Sequence, residues 1–155
     1  DITIAGPIIA SLYVSTTGTD ADWIVKLIDV YPSDSPDPRP NPANIRMGDF
    51  QMLLAGEVFR SKYRTSFEKP EPLTPNTVTK IEFDLRDRNH RFLKGHRLMV
   101  QIQSTWFPLI DRNPQKFLDI YAAREEDFQS AVHAVYHSSL HPSHLKLNVI
   151  TEKYR

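Results

Sequence analysis

Seven segments of this chain alternate apolar and polar residues with a period of two, and that pattern constrains the fold more than any other feature. The clearest runs over 98–103, where Leu98, Val100 and Ile102 point one way and Met99, Gln101 and Gln103 the other. Only a strand with one buried face has that period. Similar signals, rich in β-branched and aromatic residues, occur at 8–15, 23–31, 57–63, 77–85, 131–137 and 145–149. Breaker clusters separate them at Thr17-Gly18-Thr19-Asp20, at Pro70, Pro72, Pro75 and Asn76, and at Lys94-Gly95. Many short strands at this spacing predict an all-β sandwich or jelly roll and argue against βαβ units. The 32–42 stretch, with five prolines, cannot pair inside a sheet and reads as a long surface loop. One short helix is expected over 122–129, where Glu125, Glu126 and Asp127 suit a helix N-terminus.

Composition excludes several classes of function. At 155 residues the chain fits one domain, 1–155, and 40% apolar with 25% charged residues is ordinary for a folded globule. Nineteen basic residues balance nineteen acidic ones, so no net field draws the chain to nucleic acid or anionic lipid. No apolar run approaches the roughly 20 residues of a membrane-spanning helix. The absence of cysteine removes disulfides, thiolate chemistry and Cys-type zinc sites. None of the five glycines lies two residues from a serine, so no G-x-S-x-G elbow exists, and the same scarcity excludes a Walker loop or dinucleotide fingerprint. No catalytic or cofactor-binding residue is expected.

Two clusters invite a metal reading. His133, His137, His141 and His144 include an i, i+4 pair, but a strand would hold His133 and His137 about 13 Å apart. They read instead as strand and turn residues around His141-Pro142-Ser143, with no metal expected. Asp20, Asp22 and Asp29 raise a weak calcium reading, against which Asp20 and Asp22 fall in a turn where aspartate serves its own backbone.

The segment 106–115 stands apart, because Trp106, Phe107, Leu109 and Ile110 sit where Pro108 and Pro114 keep the chain out of regular structure. Either Trp106 and Phe107 cap this domain's own core, with Asp111 and Arg112 tying the loop down, or the loop faces a neighbouring domain. Trp106, Phe107, Asp111, Arg112 and Asn113 are the candidate interface residues.

The successions Asp20-Ala-Asp22-Trp-Ile-Val-Lys26-Leu-Ile-Asp29-Val-Tyr-Pro32, Phe59-Arg60-Ser-Lys-Tyr63-Arg64, Phe92-Leu-Lys-Gly95-His96-Arg97 and Phe107-Pro108-Leu-Ile-Asp111-Arg112-Asn113-Pro114-Gln115 resemble the C-terminal domain of the CocE/NonD hydrolases. These include cocaine esterase, X-Pro dipeptidyl-peptidase and α-amino acid ester hydrolase. The long form from Gln101 through Gln115 is most similar to the α-amino acid ester hydrolase, or glutaryl-cephalosporanate acylase, branch. The resemblance implies a jelly roll of galactose-binding-like type that catalyses nothing itself. Its partners would be the α/β-hydrolase and cap domains of a bacterial parent, exported or cytoplasmic, with self-association left open. It also implies that the chain is a piece of that parent. The parent would act on α-amino acid esters, amides or acyl-β-lactams through a Ser-His-Asp triad outside this sequence. A stand-alone carbohydrate-binding module is the alternative, since one fold hosts many functions. Against it, Trp23 and Trp106 fall in a strand and an anchoring loop.

Overall fold

The computed structural model describes residues 1–151 as two antiparallel sheets packed face to face. Eight strands build them: β1 (Ile2–Thr16), β2 (Asp22–Val30), β3 (Gln51–Arg60), β4 (Thr79–Asp84), β5 (Arg88–Phe92), β6 (Arg97–Gln103), β7 (His133–Val135) and β8 (His144–Ile150). The long β1 is the spine of one sheet. Along one edge it pairs with β4 and then β5, and along the other with β7 and β8. The second sheet is β3-β2-β6.

Strand β2 lies in the middle of its sheet and is buried on both faces. Its inward residues Trp23, Val25 and Leu27 meet Ile4, Ile8, Ala10, Leu12 and Val14 of β1, forming the core. Ile24, Ile28 and Val30 point the other way yet are no more than 5% exposed, so the outer face of this sheet is covered as well. That accounts for the near-continuous apolar run in β2, where a strand open to water on one side would alternate.

At the end of β2 a polar clasp joins the two sheets. The Asp29 carboxylate, 1% exposed, is hydrogen-bonded to His90 Nε2 of β5 and to His96 Nδ1, each at 2.8 Å. A buried carboxylate is tolerated only when donors surround it, and here they come from both sheets.

The all-β sandwich is as the alternation predicts, but several bounds differ. β1 begins at Ile2 and crosses Gly6-Pro7 by a shift of register against β8, so the break in its pattern is a bulge and not a terminus. β3 starts at Gln51, well before 57, and 61–63 is a 3-10 turn. The helix expected over 122–129 is absent. Two single 3-10 turns, Ile120–Ala122 and Glu125–Asp127, stand there, the first capped by Asp119 and the second by an Arg124–Asp127 backbone contact. Without an apolar face to pack, such a short segment does not sustain an α-helix.

Candidate functional site

Residues 104–118 run without regular structure across the outer face of the β3-β2-β6 sheet, and a buried polar cluster holds them there. Asn113 is the centre of it. At 5% exposure it donates through Nδ2 to Asp20 Oδ2 (3.1 Å) and to Asp22 Oδ1 (2.8 Å), and its own Oδ1 accepts from the Gln115 amide (2.8 Å). Asp20 Oδ1 takes the amides of Ala21 and Lys62 at 2.9 and 3.1 Å. Asp22 is gripped at both oxygens by Arg60, at 2.9 and 3.0 Å. Burial pushes the Asp20 carboxyl above its ordinary range, although Asn113 and the Ala21 amide partly offset that push. Burial alone would lower the Arg60 guanidinium, but the hydrogen bond and charge of Asp22, with Asp20 behind it, raise it on balance.

Close approach depends on two glycines. A Cβ on Gly18 would collide with the Gln115 carbonyl, which accepts from the Thr19 amide at 3.1 Å. A Cβ on Gly56 would lie 3.1 Å from the Trp106 ring, which rests on Gly56 of β3 while Lys26 Nζ of β2 sits 4.2 Å from the ring centre. Further ties are Phe117 N to Thr19 Oγ1 (2.8 Å) and Lys62 Nζ to the Leu118 carbonyl (2.9 Å).

The five candidate interface residues therefore divide. Asn113 is inside this domain, and Trp106 is half-buried on its sheet. Phe107 is 63% exposed, and Asp111 and Arg112 are exposed beside it. The Arg112 guanidinium lies 5.8 Å from the Phe107 ring and 5.3 Å from the Phe128 ring. With Leu109 (66% exposed), these residues form a bare apolar and cationic face on a tightly anchored loop. Sequence reasoning marked the loop but not Leu109 or Phe128 as part of that face.

The metal readings resolve into separate positions. Asp20 and Asp22 hold protein donors, and Asp29 lies about 23 Å along the strand from Asp22 in the histidine clasp. His133 packs edge-on against Trp23, and burial holds its imidazole below the ordinary histidine range. His141 packs on Tyr13 and Tyr136, and His144 Nδ1 lies 2.7 Å from the Pro142 carbonyl.

Residues 1–146 match the model of the X-Pro dipeptidyl-peptidase C-terminal non-catalytic domain. The chain belongs to that family. A cocaine esterase of Rhodococcus sp. (strain MB1 Bresler) is 30% identical over 149 residues, which are 96% of this chain and 23% of the esterase. Among solved structures, an α-amino acid ester hydrolase superposes with a TM-score of 0.88 at 43% identity, covering 96% of this chain and 24% of the hydrolase. An aminopeptidase from a marine sediment Thaumarchaeota archaeon gives 0.89 at 40% identity, covering 97% and 24%. A CocE/NonD family hydrolase from Staphylococcus aureus, at 16% identity and 0.66, shares the fold. This chain thus spans about a quarter of the length of these relatives. It is a C-terminal non-catalytic domain of the CocE/NonD hydrolase kind, and its β-sandwich is theirs.

Proposed function

We propose that this domain docks through the 104–128 face onto the α/β-hydrolase and cap domains of a parent serine hydrolase, and that the parent acts on α-amino acid esters or amides, acyl-β-lactams included. One observation carries the docking role: a loop fixed from beneath by Asn113, Trp106 and Gly18 holds Phe107, Leu109 and Arg112 out in water. Contiguous exposed apolar groups with an arginine among them have the makeup of an interface core. Because the loop is already ordered, docking would lose little conformational freedom.

For the parent's reaction, the support is likeness to an α-amino acid ester hydrolase and an aminopeptidase at 43% and 40% identity, two enzymes whose names share the α-amino group. Acyl transfer through a serine ester would then run on residues outside this chain, with the sandwich closing one side of the approach. We read the sandwich as a jelly roll of galactose-binding-like type.

The test is Phe107→Asp with Leu109→Asp, made both in this chain and in the full-length parent. Both residues are more than half exposed here, so the isolated chain should keep its melting temperature within about 2 °C. The parent should lose thermal stability and specific activity on amino acid esters, since charge would be driven into a desolvated contact. An unaltered parent refutes the docking face. A parent that turns over simple acyl esters but no α-amino acid ester refutes the substrate assignment.

A further inference from the structure

The two long edges of the sandwich are finished differently. At the β3 edge the sheets are closed against each other. Phe59 of β3 stacks on Phe83 of β4 with ring centres 5.0 Å apart, Arg86 Nε donates to Glu57 at 3.1 Å, and Arg88 Nε donates to the Leu54 carbonyl. β3 also shifts register at Leu54, opposite the Leu27–Ile28 step of β2. A bulge and an occupied carbonyl keep a sheet edge from recruiting another strand.

Nothing comparable finishes the β6 edge. β6 has β2 as its one neighbour and pairs with it in continuous register from Arg97 to Gln103. It holds no proline, no bulge and a single charge, Arg97, which is paired with Asp49 at 3.1 Å. Among the described residues no side chain of β6 is hydrogen-bonded across to the facing sheet.

Behind this edge the sandwich stands open. Val100 and Ile102 of β6 line an apolar slot of about 240 Å³ with Val135 of β7 and Leu145 of β8, and Leu12 of β1 lies within it. Ile102, Leu145 and Leu147 pack on the core, and the residues that alternate with them share that side of their strands. Yet Leu98 is 46% exposed, Val100 40%, Val135 40% and Val149 52%. Such positions interdigitate and are covered in a closed sandwich.

The shape of the gap selects what fills it. Facing sheets stand ~10 Å apart, a space that a helix of ~10–12 Å cannot enter. A helix laid over the gap would also leave the outward backbone groups of β6 without partners. A strand set ~4.8 Å beyond β6 takes those groups and drops every second side chain into the slot.

We propose that an extended segment of the parent chain, matching the 7 residues of β6 and apolar at alternate positions, adds to β6 as a fourth strand of the β3-β2-β6 sheet and seals the slot. This deepens the docking reading above and rests on it. β6 leads directly into Ser104 and Thr105, which line a recess together with Arg112 and Phe128, so the open edge is continuous with the docking face. About three quarters of the length of the relatives lies outside the part that this chain matches. A segment tethered to the docked domains meets the edge at the effective concentration of a linked partner, an advantage that a second copy of this chain lacks.

Residue-resolved hydrogen exchange on the isolated chain and on the full-length parent is the test. Every second amide of an edge strand points away from its neighbour, so those amides of β6 should exchange quickly in the isolated chain. In the parent they should slow by about a hundredfold or more. Slowing confined to alternate amides is the mark of a paired strand and not of a loose cover. This comparison needs no variant. Leu98→Lys with Val149→Lys then sets a charge on each lip of the slot and should return the outward amides of the parent to their fast rate. The isolated chain should keep its melting temperature within about 3 °C, because both side chains are half exposed and lysine carries its ammonium out to water. Outward β6 amides that exchange alike in both forms, while 104–118 slow in the parent, overturn the added strand and leave the docking face standing. If neither segment slows, both readings fall. Protection that survives the double lysine variant overturns the proposal. So does protection already present in an isolated chain that sediments as a dimer, which would make the added strand a second copy.

Discussion

Replacing Asn113 with alanine should unfasten the docking loop and weaken the whole domain. The side chain satisfies one oxygen of Asp20 and one of Asp22 through its Nδ2 group, at 3.1 and 2.8 Å, and takes the Gln115 amide at 2.8 Å. Hydrogen bonds to charged groups contribute ~1.5–3 kcal/mol each and a neutral one about 1. Asp22 retains both Arg60 nitrogens and Asp20 retains two backbone amides, so neither carboxylate is left bare. That places the loss at or just below the lower end of the sum, at about 3–4 kcal/mol. For a domain of this length each kcal/mol shifts the midpoint by roughly 2–4 °C, which predicts a fall of about 6–16 °C by calorimetry. Asn113→Asp should cost more, because it sets a third carboxylate against two. Proteolysis within 104–118 should rise in parallel. If Asn113→Ala melts within 2 °C of the parent sequence, the polar cluster does not hold the loop, and the rigid presentation of Phe107 and Leu109 falls with it.

Two further outcomes follow from the other buried polar groups. Asp29→Ala should lower stability by about 3 kcal/mol, since it leaves His90 and His96 partly buried without their shared acceptor; chemical denaturation reads this, and a change under 1 kcal/mol refutes an inter-sheet role. His133 is held neutral by burial, so its folded form takes up a proton less readily than the unfolded chain, whose histidines titrate near 6.5. Its contribution is therefore complete above that value and is lost as the pH falls through 6.5 toward the folded value. His133→Phe, which keeps a ring against Trp23, should flatten the decline in melting temperature between pH 7 and 5, and an unchanged slope refutes the assignment.

The strands legible in the sequence were those with two-residue alternation, such as 98–103, or those apolar enough to be buried twice, such as β2; in 98–103, an edge strand, Leu98 and Val100 are nonetheless 46% and 40% exposed. β5 was not legible. Arg88-Asn-His-Arg-Phe92 looks like a polar connection, and it is a strand because β1 offers residues 2–6 as a partner and Asp29 awaits His90. The same kind of long-range partner explains the site residues. Asn113 belongs with Asp20 and Asp22, more than ninety positions away, so a residue that read as a surface contact is a buried clamp. Phe107 and Arg112 stayed outside because no equivalent acceptor or cavity in this domain receives them.

One strand connects these features. β2 lines the core with Trp23, Val25 and Leu27, and Asp29 near one end is bound to the opposite sheet. At the other end Asp22 is bound to Arg60 and Asn113, so the docking loop is referenced to the most buried element of the domain. A change at Asp22 would then disturb the docking loop from beneath, through Asn113, whereas a change at Phe107 would disturb only the exposed surface. That asymmetry separates a surface that binds from a strand that positions. Asp22→Asn should weaken docking and lower the melting temperature of the isolated chain together, whereas Phe107→Asp should weaken docking and leave that melting temperature in place.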